Sequence, residues 1–131
     1  MTTLTATMHR STFLRRVLFA DAATCAAMGA LLTLDAAALA PLFALPAALL
    51  TYAGASLFPI AAFILWVATR TAIPPTGVWL VILGNAGWVA GSAVLLVMGP
   101  TLIGAGFVVV QALGTAVLAA LEYVGLRHAA D

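Results

Sequence analysis

Apolar residues run along this chain in long blocks, and apolar and polar positions do not alternate within them. Four blocks of 18 to 24 residues cover residues 17–34, 46–69, 78–98 and 102–124. An α-helix rises about 1.5 Å per residue and the hydrocarbon layer of a bilayer is about 30 Å thick, so each block can cross a membrane as a helix. Strands of a membrane barrel are about 10 residues long and alternate. The pattern predicts an all-α membrane protein, an antiparallel up-down bundle of four transmembrane helices.

The pieces between the blocks are short and contain turn residues. Residues 36–44 are apolar but too few to cross, which predicts a short interfacial segment between helices 1 and 2. Gly99, Pro100 and Thr101 form a turn so tight that the third and fourth spans must be antiparallel neighbours. Pro59 lies inside the second span and predicts a kink. No piece is long enough for a core of its own, so residues 1–131 form a single transmembrane domain.

Composition and charge support this class and give it an orientation. Hydrophobic residues make up 65% of the chain and charged residues 7%, against about 45–50% and about 25% in soluble domains. All five basic residues precede the first span, follow the second or follow the fourth: Arg10, Arg15, Arg16, Arg70 and Arg127. Because arginine and lysine concentrate in cytoplasmic loops, both termini are predicted to be cytoplasmic.

Small residues at helical spacing indicate where helices pack. Lipid removes the hydrophobic drive between helices, so close backbone approach replaces it. The third span has a ridge of Gly84, Gly87 and Gly91, the last two spaced as GxxxG. The sequence predicts that this ridge packs within the chain rather than across a dimer.

Four polar side chains interrupt the spans: Asp21, Asn85, Gln111 and Glu122. A polar group in hydrocarbon is costly, so each needs a partner or a function. At about 1.5 Å per residue, their depths from the predicted cytoplasmic edges are about 6, 10, 20 and 3 Å. If these side chains face the bundle interior, they form a candidate polar site that leads inward to Ser56 and Ser92.

Each of these side chains also has a purely structural explanation. Asn and Gln in membrane helices usually hydrogen-bond a neighbouring helix, for about 0.6–2 kcal/mol. On this explanation Asp21 pairs with Asn85 or with an arginine at the cytoplasmic edge, and Glu122 faces the head groups or pairs with Arg127 or Arg16. Asp21 is the strongest functional candidate, because an acid in hydrocarbon must be protonated, paired or hydrated.

Several chemistries lack their residues. The two histidines, His9 and His128, lie outside the spans, so a bis-histidine haem has no ligands in the bundle. Cys25 is the single cysteine, which excludes an internal disulfide relay. No span combines a nucleophile with a base or carries acids spaced for a metal. The sequence therefore predicts no catalytic residues, no metal or other cofactor, no nucleic-acid partner and no enzymatic activity.

Five runs of residues carry a family resemblance: residues 15–22, 45–50, 58–63, 85–88 and 122–127. With them the chain resembles, from about Phe13 to His128, a group of short, uncharacterised four-helix inner-membrane proteins of bacteria. The resemblance implies the four-helix architecture and a multi-pass location in the bacterial inner (plasma) membrane. It implies no activity.

Three functional hypotheses follow. The first is an accessory or scaffold component that packs with itself, as a homo-oligomer, or with a larger membrane complex; it rests on the missing chemistry and the small-residue ridge. The second is a proton-coupled transporter of a small or lipophilic solute that uses Asp21. The third is a bundle that binds a lipid or quinone between its helices near Pro59.

Overall fold

The computed structural model describes the backbone of residues 2–130 and the side chains of residues 12–128. This part of the chain contains five α-helices and no strand: α1 (Thr2–Leu34), α2 (Ala36–Phe43), α3 (Ala47–Thr69), α4 (Pro75–Val97) and α5 (Leu102–Ala130). Four stretches are long and apolar enough to cross a membrane: Thr12–Leu34, Ala47–Thr69, Pro75–Val97 and Leu102–His128. The predicted all-α bundle with four spans is confirmed, and the short helix α2 occupies the predicted segment between the first two.

Helix ends differ from the predicted span ends at both termini of the chain. Helix α1 begins at Thr2 instead of residue 17, and α5 runs to Ala130 instead of ending at residue 124. Hydropathy detects only the part of a helix that is apolar enough for lipid. The backbone hydrogen bonds of the helix continue through polar residues whose side chains water can solvate. Pro75 starts α4, because proline suits the first turn of a helix.

The spans form a ring with one gap. Helix α1 packs against α3 on one side and α5 on the other, and α5 packs against α4, whereas α3 and α4 contact each other only sparsely. Neighbouring spans are antiparallel: Arg15 of α1 lies beside the end of α3, and Leu14 lies beside Gly125 near the end of α5. The gap between α3 and α4 is the main opening along the bundle.

The tightest helix contact joins α1 to α3 through two glycines. A Cβ on Gly29 would lie 2.9 Å from the carbonyl oxygen of Gly54. A Cβ on Gly54 would lie 2.7 Å from the Cβ of Leu32 and 2.9 Å from the amide nitrogen of Thr33. All three distances are too short for contacts of a real Cβ, so the two backbones touch only because these residues are glycines.

The ridge of Gly84, Gly87 and Gly91 makes no such contact. A Cβ on any of the three would meet no other atom within 4 Å. The prediction that this ridge packs within the chain therefore fails. The reason is that α4 packs on α5 through another face, which leaves the glycines facing cavities beside the gap to α3.

Arg15 anchors one end of the bundle, which we call the arginine end because Arg15, Arg70 and Arg127 lie there. Its guanidinium donates hydrogen bonds to the carbonyl oxygens of Ala68, of Arg70 at 2.7 Å and of Thr71 at 3.3 Å. The last carbonyl groups of a helix lack hydrogen-bond donors within the helix. Arg15 donates to one of them in the last turn of α3 and to two carbonyl groups just after it. His9 and Arg10, which were used in the sequence argument, lie outside the residues whose side chains are described.

Helix α2 closes the opposite end. The backbone N–H of Thr101 donates to the carbonyl oxygen of Phe43 at 3.0 Å, and its hydroxyl donates to that of Leu42 at 2.6 Å. The rings of Phe43 and Phe107 stack with centroids 4.8 Å apart. These contacts hold the turn between α4 and α5 against α2. The bundle is therefore closed at this end, and the gap between α3 and α4 opens at its side.

Candidate functional site

Asp21, Asn85 and Glu122 meet inside the bundle, and we call them the carboxyl cluster. The side-chain amide of Asn85 donates one hydrogen bond to Oδ2 of Asp21 and one to Oε1 of Glu122, both at 2.8 Å. The three residues are 1%, 6% and 0% exposed, respectively. One amide thus joins α1, α4 and α5 through two buried acids.

The carboxyl cluster lies inward of the arginine end on all three helices. Along α1, Asp21 is six residues beyond Arg15. Along α4, Asn85 is ten residues beyond the first residue, Pro75, and along α5, Glu122 is five residues before Arg127. All three side chains are buried in the bundle.

The structure corrects the prediction for Glu122. This side chain neither faces the head groups nor pairs with an arginine; it is completely buried and accepts a hydrogen bond from Asn85. Arg127 instead lies over the ring of Tyr123, with its guanidinium carbon 5.9 Å from the centroid. Successive helical residues point about 100° apart, so Tyr123 can face outward while Glu122 faces the core. The second carboxyl oxygen of Glu122, Oε2, has no hydrogen-bond donor.

Asp21 has a second donor on its own helix. The thiol of Cys25 donates to Oδ1 of Asp21 at 3.6 Å, and the hydroxyl of Thr24 donates to the backbone oxygen of Asp21 at 2.9 Å. With Met28, these three residues share one face of α1 and border a cavity. Asp21 therefore reaches the cavity surface, whereas Glu122 does not line it.

A separate group of polar side chains lies farther along the bundle, and we call Trp88, Ser92 and Gln111 the amide cluster. The indole N–H of Trp88 donates to Oε1 of Gln111 at 2.6 Å. The amide nitrogen of Gln111 donates to the hydroxyl oxygen of Ser92 and to the carbonyl oxygen of Val108, each at 2.8 Å. The hydroxyl of Ser92 donates to the carbonyl oxygen of Trp88 at 2.8 Å. All these polar groups have partners within the chain.

The predicted polar track is therefore divided. Ser92 belongs to the amide cluster, but Ser56 is exposed and donates to the carbonyl oxygen of Ala53 in its own helix at 2.7 Å. The sequence argument omitted Trp88. Its spacing of four residues from Ser92 on α4 was the available signal, since side chains at that spacing share a helix face.

Two cavities follow the gap between α3 and α4, and together we call them the groove. The larger, of about 520 Å³, reaches Asp21 and Asn85, and the smaller, of about 320 Å³, extends toward α2. Met28, Trp88 and Gln111 border both. The α4 side of the groove is formed partly by Gly84 at the larger cavity and by Gly87 and Gly91 at the smaller one. Because glycine has no side chain, this ridge leaves the groove open.

The groove is long, apolar and open at its side. On α4 its lining runs from Leu80 to Leu95, a distance of about 22 Å along the helix. At its edge Ile60, Phe63 and Leu80 are 40%, 38% and 54% exposed. Such apolar side chains at mid-span suit hydrocarbon, so the groove opens toward the lipid. Pro59 also borders the larger cavity.

Comparison with protein families, with curated proteins and with solved structures finds no match for this chain. The resemblance to bacterial inner-membrane proteins therefore stays a prediction. Among the described residues, no three His, Cys, Asp or Glu side chains are grouped so that they could hold a metal ion. The candidate site of this small polytopic membrane protein is thus a pair of buried acids beside an apolar groove.

Proposed function

We propose that this protein binds one lipophilic small molecule in the groove between α3 and α4. The observation that supports the proposal is an apolar groove, open at its side, on a chain whose other helix contacts are close. The proposal corresponds to the third hypothesis from the sequence, a lipid- or quinone-binding bundle near Pro59.

The size of the groove favours a small molecule over a helix. Ligand pockets measure about 300–1,000 Å³, and both cavities, at about 520 and 320 Å³, fall in this range. A helix with its side chains is about 10 Å across. It is too wide for a groove that owes its width to three glycines in one wall. A groove of about 22 Å also exceeds one leaflet of a hydrocarbon layer of about 30 Å, which favours a long hydrocarbon chain.

The polarity of the groove favours a molecule held mainly by apolar contacts. The side-chain amide of Gln111 is fully occupied within the amide cluster, and the hydroxyl of Thr115 donates to the backbone of its own helix at 2.9 Å. A ligand that needed several hydrogen bonds would have to break these. Asp21, at the end of the groove toward the arginine end, is the place for a single polar group of the ligand.

Filling the groove should displace the ligand. Gly87 borders the smaller cavity and a Cβ there meets no atom within 4 Å, so a leucine at this position extends its side chain from an open site into the groove. We expect the variant, purified in mild detergent, to retain about one tenth or less of the lipophilic molecule that mass spectrometry finds with the parent, a loss of about 1.4 kcal/mol.

Gly106→Leu is the matched control for that experiment. Gly106 is also an open glycine of a spanning helix, but it borders neither cavity. It should retain the molecule at the level of the parent chain. Equal retention by both variants, or no lipophilic molecule with the parent beyond bulk lipid, would contradict the proposed function.

The acids favour a second candidate, proton-coupled transport of a small or lipophilic solute with Asp21 as the carrier. The specific observation is that Asp21 is almost fully buried yet borders the groove. In reconstituted vesicles we expect Asp21→Asn to abolish solute flux driven by a pH gradient while the protein stays folded. Lost folding with unchanged flux per folded molecule would instead assign Asp21 a structural role.

The accessory or scaffold role predicted from the sequence ranks below both candidates. Its main support, the glycine ridge, shapes a cavity of small-molecule size instead of a flat face for another helix. Location in the bacterial inner membrane is part of the proposal and rests on the resemblance carried by residues 15–22, 45–50, 58–63, 85–88 and 122–127. The cytoplasmic location of both termini is also part of it and rests on the distribution of the five arginines.

A further inference from the structure

We propose that Asp21 and Glu122 hold one proton between them, which makes the carboxyl cluster a proton-binding site with Asn85 as its fixed donor. The inference concerns this cluster alone and holds whatever molecule occupies the groove. It also assigns a role to Glu122, whose function the groove does not explain.

The count of donors and acceptors leads to the proton. The two carboxyl groups present four oxygens, while Asn85 supplies two N–H donors and Cys25 one weak S–H donor. Oε2 of Glu122 is buried without any donor, and Oδ2 of Asp21 and Oε1 of Glu122 each lie 2.8 Å from the same side-chain nitrogen of Asn85. A buried acceptor without a donor is costly. A proton on one of the two neighbouring carboxyl groups adds the donor that the cluster lacks.

The charges around the cluster lead to the same result. Two ionised carboxyls at such short range in a buried site repel each other, and one proton lowers their joint charge from −2 to −1. Asp21 and Cys25 are the titratable side chains of α1 at the cluster, and α4 contains no Asp, Glu, His, Cys, Tyr, Lys or Arg. The only titratable side chain of helix α3 is that of Tyr52, which is 75% exposed.

Arg15 and Arg127 make their contacts away from the cluster, and Arg16 is exposed. Arg15 donates to carbonyl oxygens at the end of α3, and Arg127 lies over the ring of Tyr123. A shared proton therefore reduces the buried charge of the two acids where no arginine does so. Because Asp21 borders the groove and Glu122 does not, exchange of this proton is expected through Asp21.

Infrared spectroscopy of the full chain in phosphatidylcholine vesicles tests the proposal directly. A protonated carboxyl group has a carbonyl stretch distinct from that of a carboxylate, and this band shifts in D2O. We expect the parent chain at pH 7 to show the band of one protonated carboxyl per chain. Asp21→Asn and Glu122→Gln should each lose it, because the new amide is a neutral donor and leaves the remaining acid ionised.

Asp35→Asn is the control, since Asp35 is an exposed acid between α1 and α2, and this variant should keep the band. Gly87→Leu should also keep it, which separates this proposal from the proposed function of the groove. Absence of the band in the folded parent chain would overturn the proposal whether or not any variant folds. So would a band of full strength in both Asp21→Asn and Glu122→Gln.

Discussion

Replacing Asn85 by leucine is expected to lower the free energy of unfolding by about 3 kcal/mol or more. The substitution keeps a side chain of similar size but removes both donors that the two buried acids share. Breaking a buried charged network by removing one partner costs about 3–5 kcal/mol, because the other groups remain buried without compensation. The measurement is unfolding of the purified protein in mixed micelles, followed by the loss of helical circular dichroism.

A combined variant separates the loss of donors from a general intolerance of α4. With Asp21→Leu, Asn85→Leu and Glu122→Leu together, no polar group remains in the cluster, and apolar replacements of buried networks are often neutral or stabilising. We expect this triple variant to be more stable than Asn85→Leu alone. If Asn85→Leu is as stable as the parent chain, the hydrogen bonds of Asn85 do not hold the three helices together.

The four spans could be predicted because lipid imposes a simple constraint on the sequence. Each span must be apolar over about 20 residues, and its backbone bonds must close within the helix, so length and hydropathy are sufficient. The same constraint made the polar residues of the site recognisable in the sequence. Asp21, Asn85, Gln111 and Glu122 were conspicuous because a polar residue in hydrocarbon is costly, and three of them meet in one network.

The choice of helix neighbours could not be predicted from the sequence, because small residues occur on several faces of every span. The GxxxG spacing of Gly87 and Gly91 satisfied a general rule for close packing, yet these residues border the groove. Gly29 and Gly54 form the actual close contact although neither belongs to a GxxxG motif within its helix. Which of these glycines meets a partner depends on the rotation of each helix, and the sequence pattern does not specify that rotation.

The division of the polar residues into two clusters was also beyond the sequence. Gln111 was predicted to continue a track from the acids, but it pairs with Trp88, whose indole N–H needed an acceptor inside the bundle. Tryptophan is common at the membrane boundary, whereas the indole N–H of Trp88 has its partner within the bundle. Its position four residues before Ser92 on one helix face placed an N–H donor and a hydroxyl together in the interior.

The contact between α1 and α3 leads to the second prediction of large effect, for Gly54→Leu. The new Cβ would lie 2.7 Å from the Cβ of Leu32 and 2.9 Å from the backbone nitrogen of Thr33, and neither atom belongs to a flexible chain end. The helices must separate, and overpacking costs about 1–3 kcal/mol or more. Since α1 and α3 form the most extensive helix contact in the bundle, we expect a loss of about 3 kcal/mol in mixed-micelle unfolding.

Gly106→Leu makes the same chemical change at an open position and measures what the substitution does apart from the contact. Leucine is a better helix former than glycine by roughly 1 kcal/mol, so the control should be as stable as the parent chain or slightly more stable. The difference between the two variants then reports the close approach of α1 and α3. Gly54→Ala should fall between them, because it adds the clashing Cβ without the rest of the side chain. Equal stability of Gly54→Leu and Gly106→Leu would show that the two helices do not touch at Gly54.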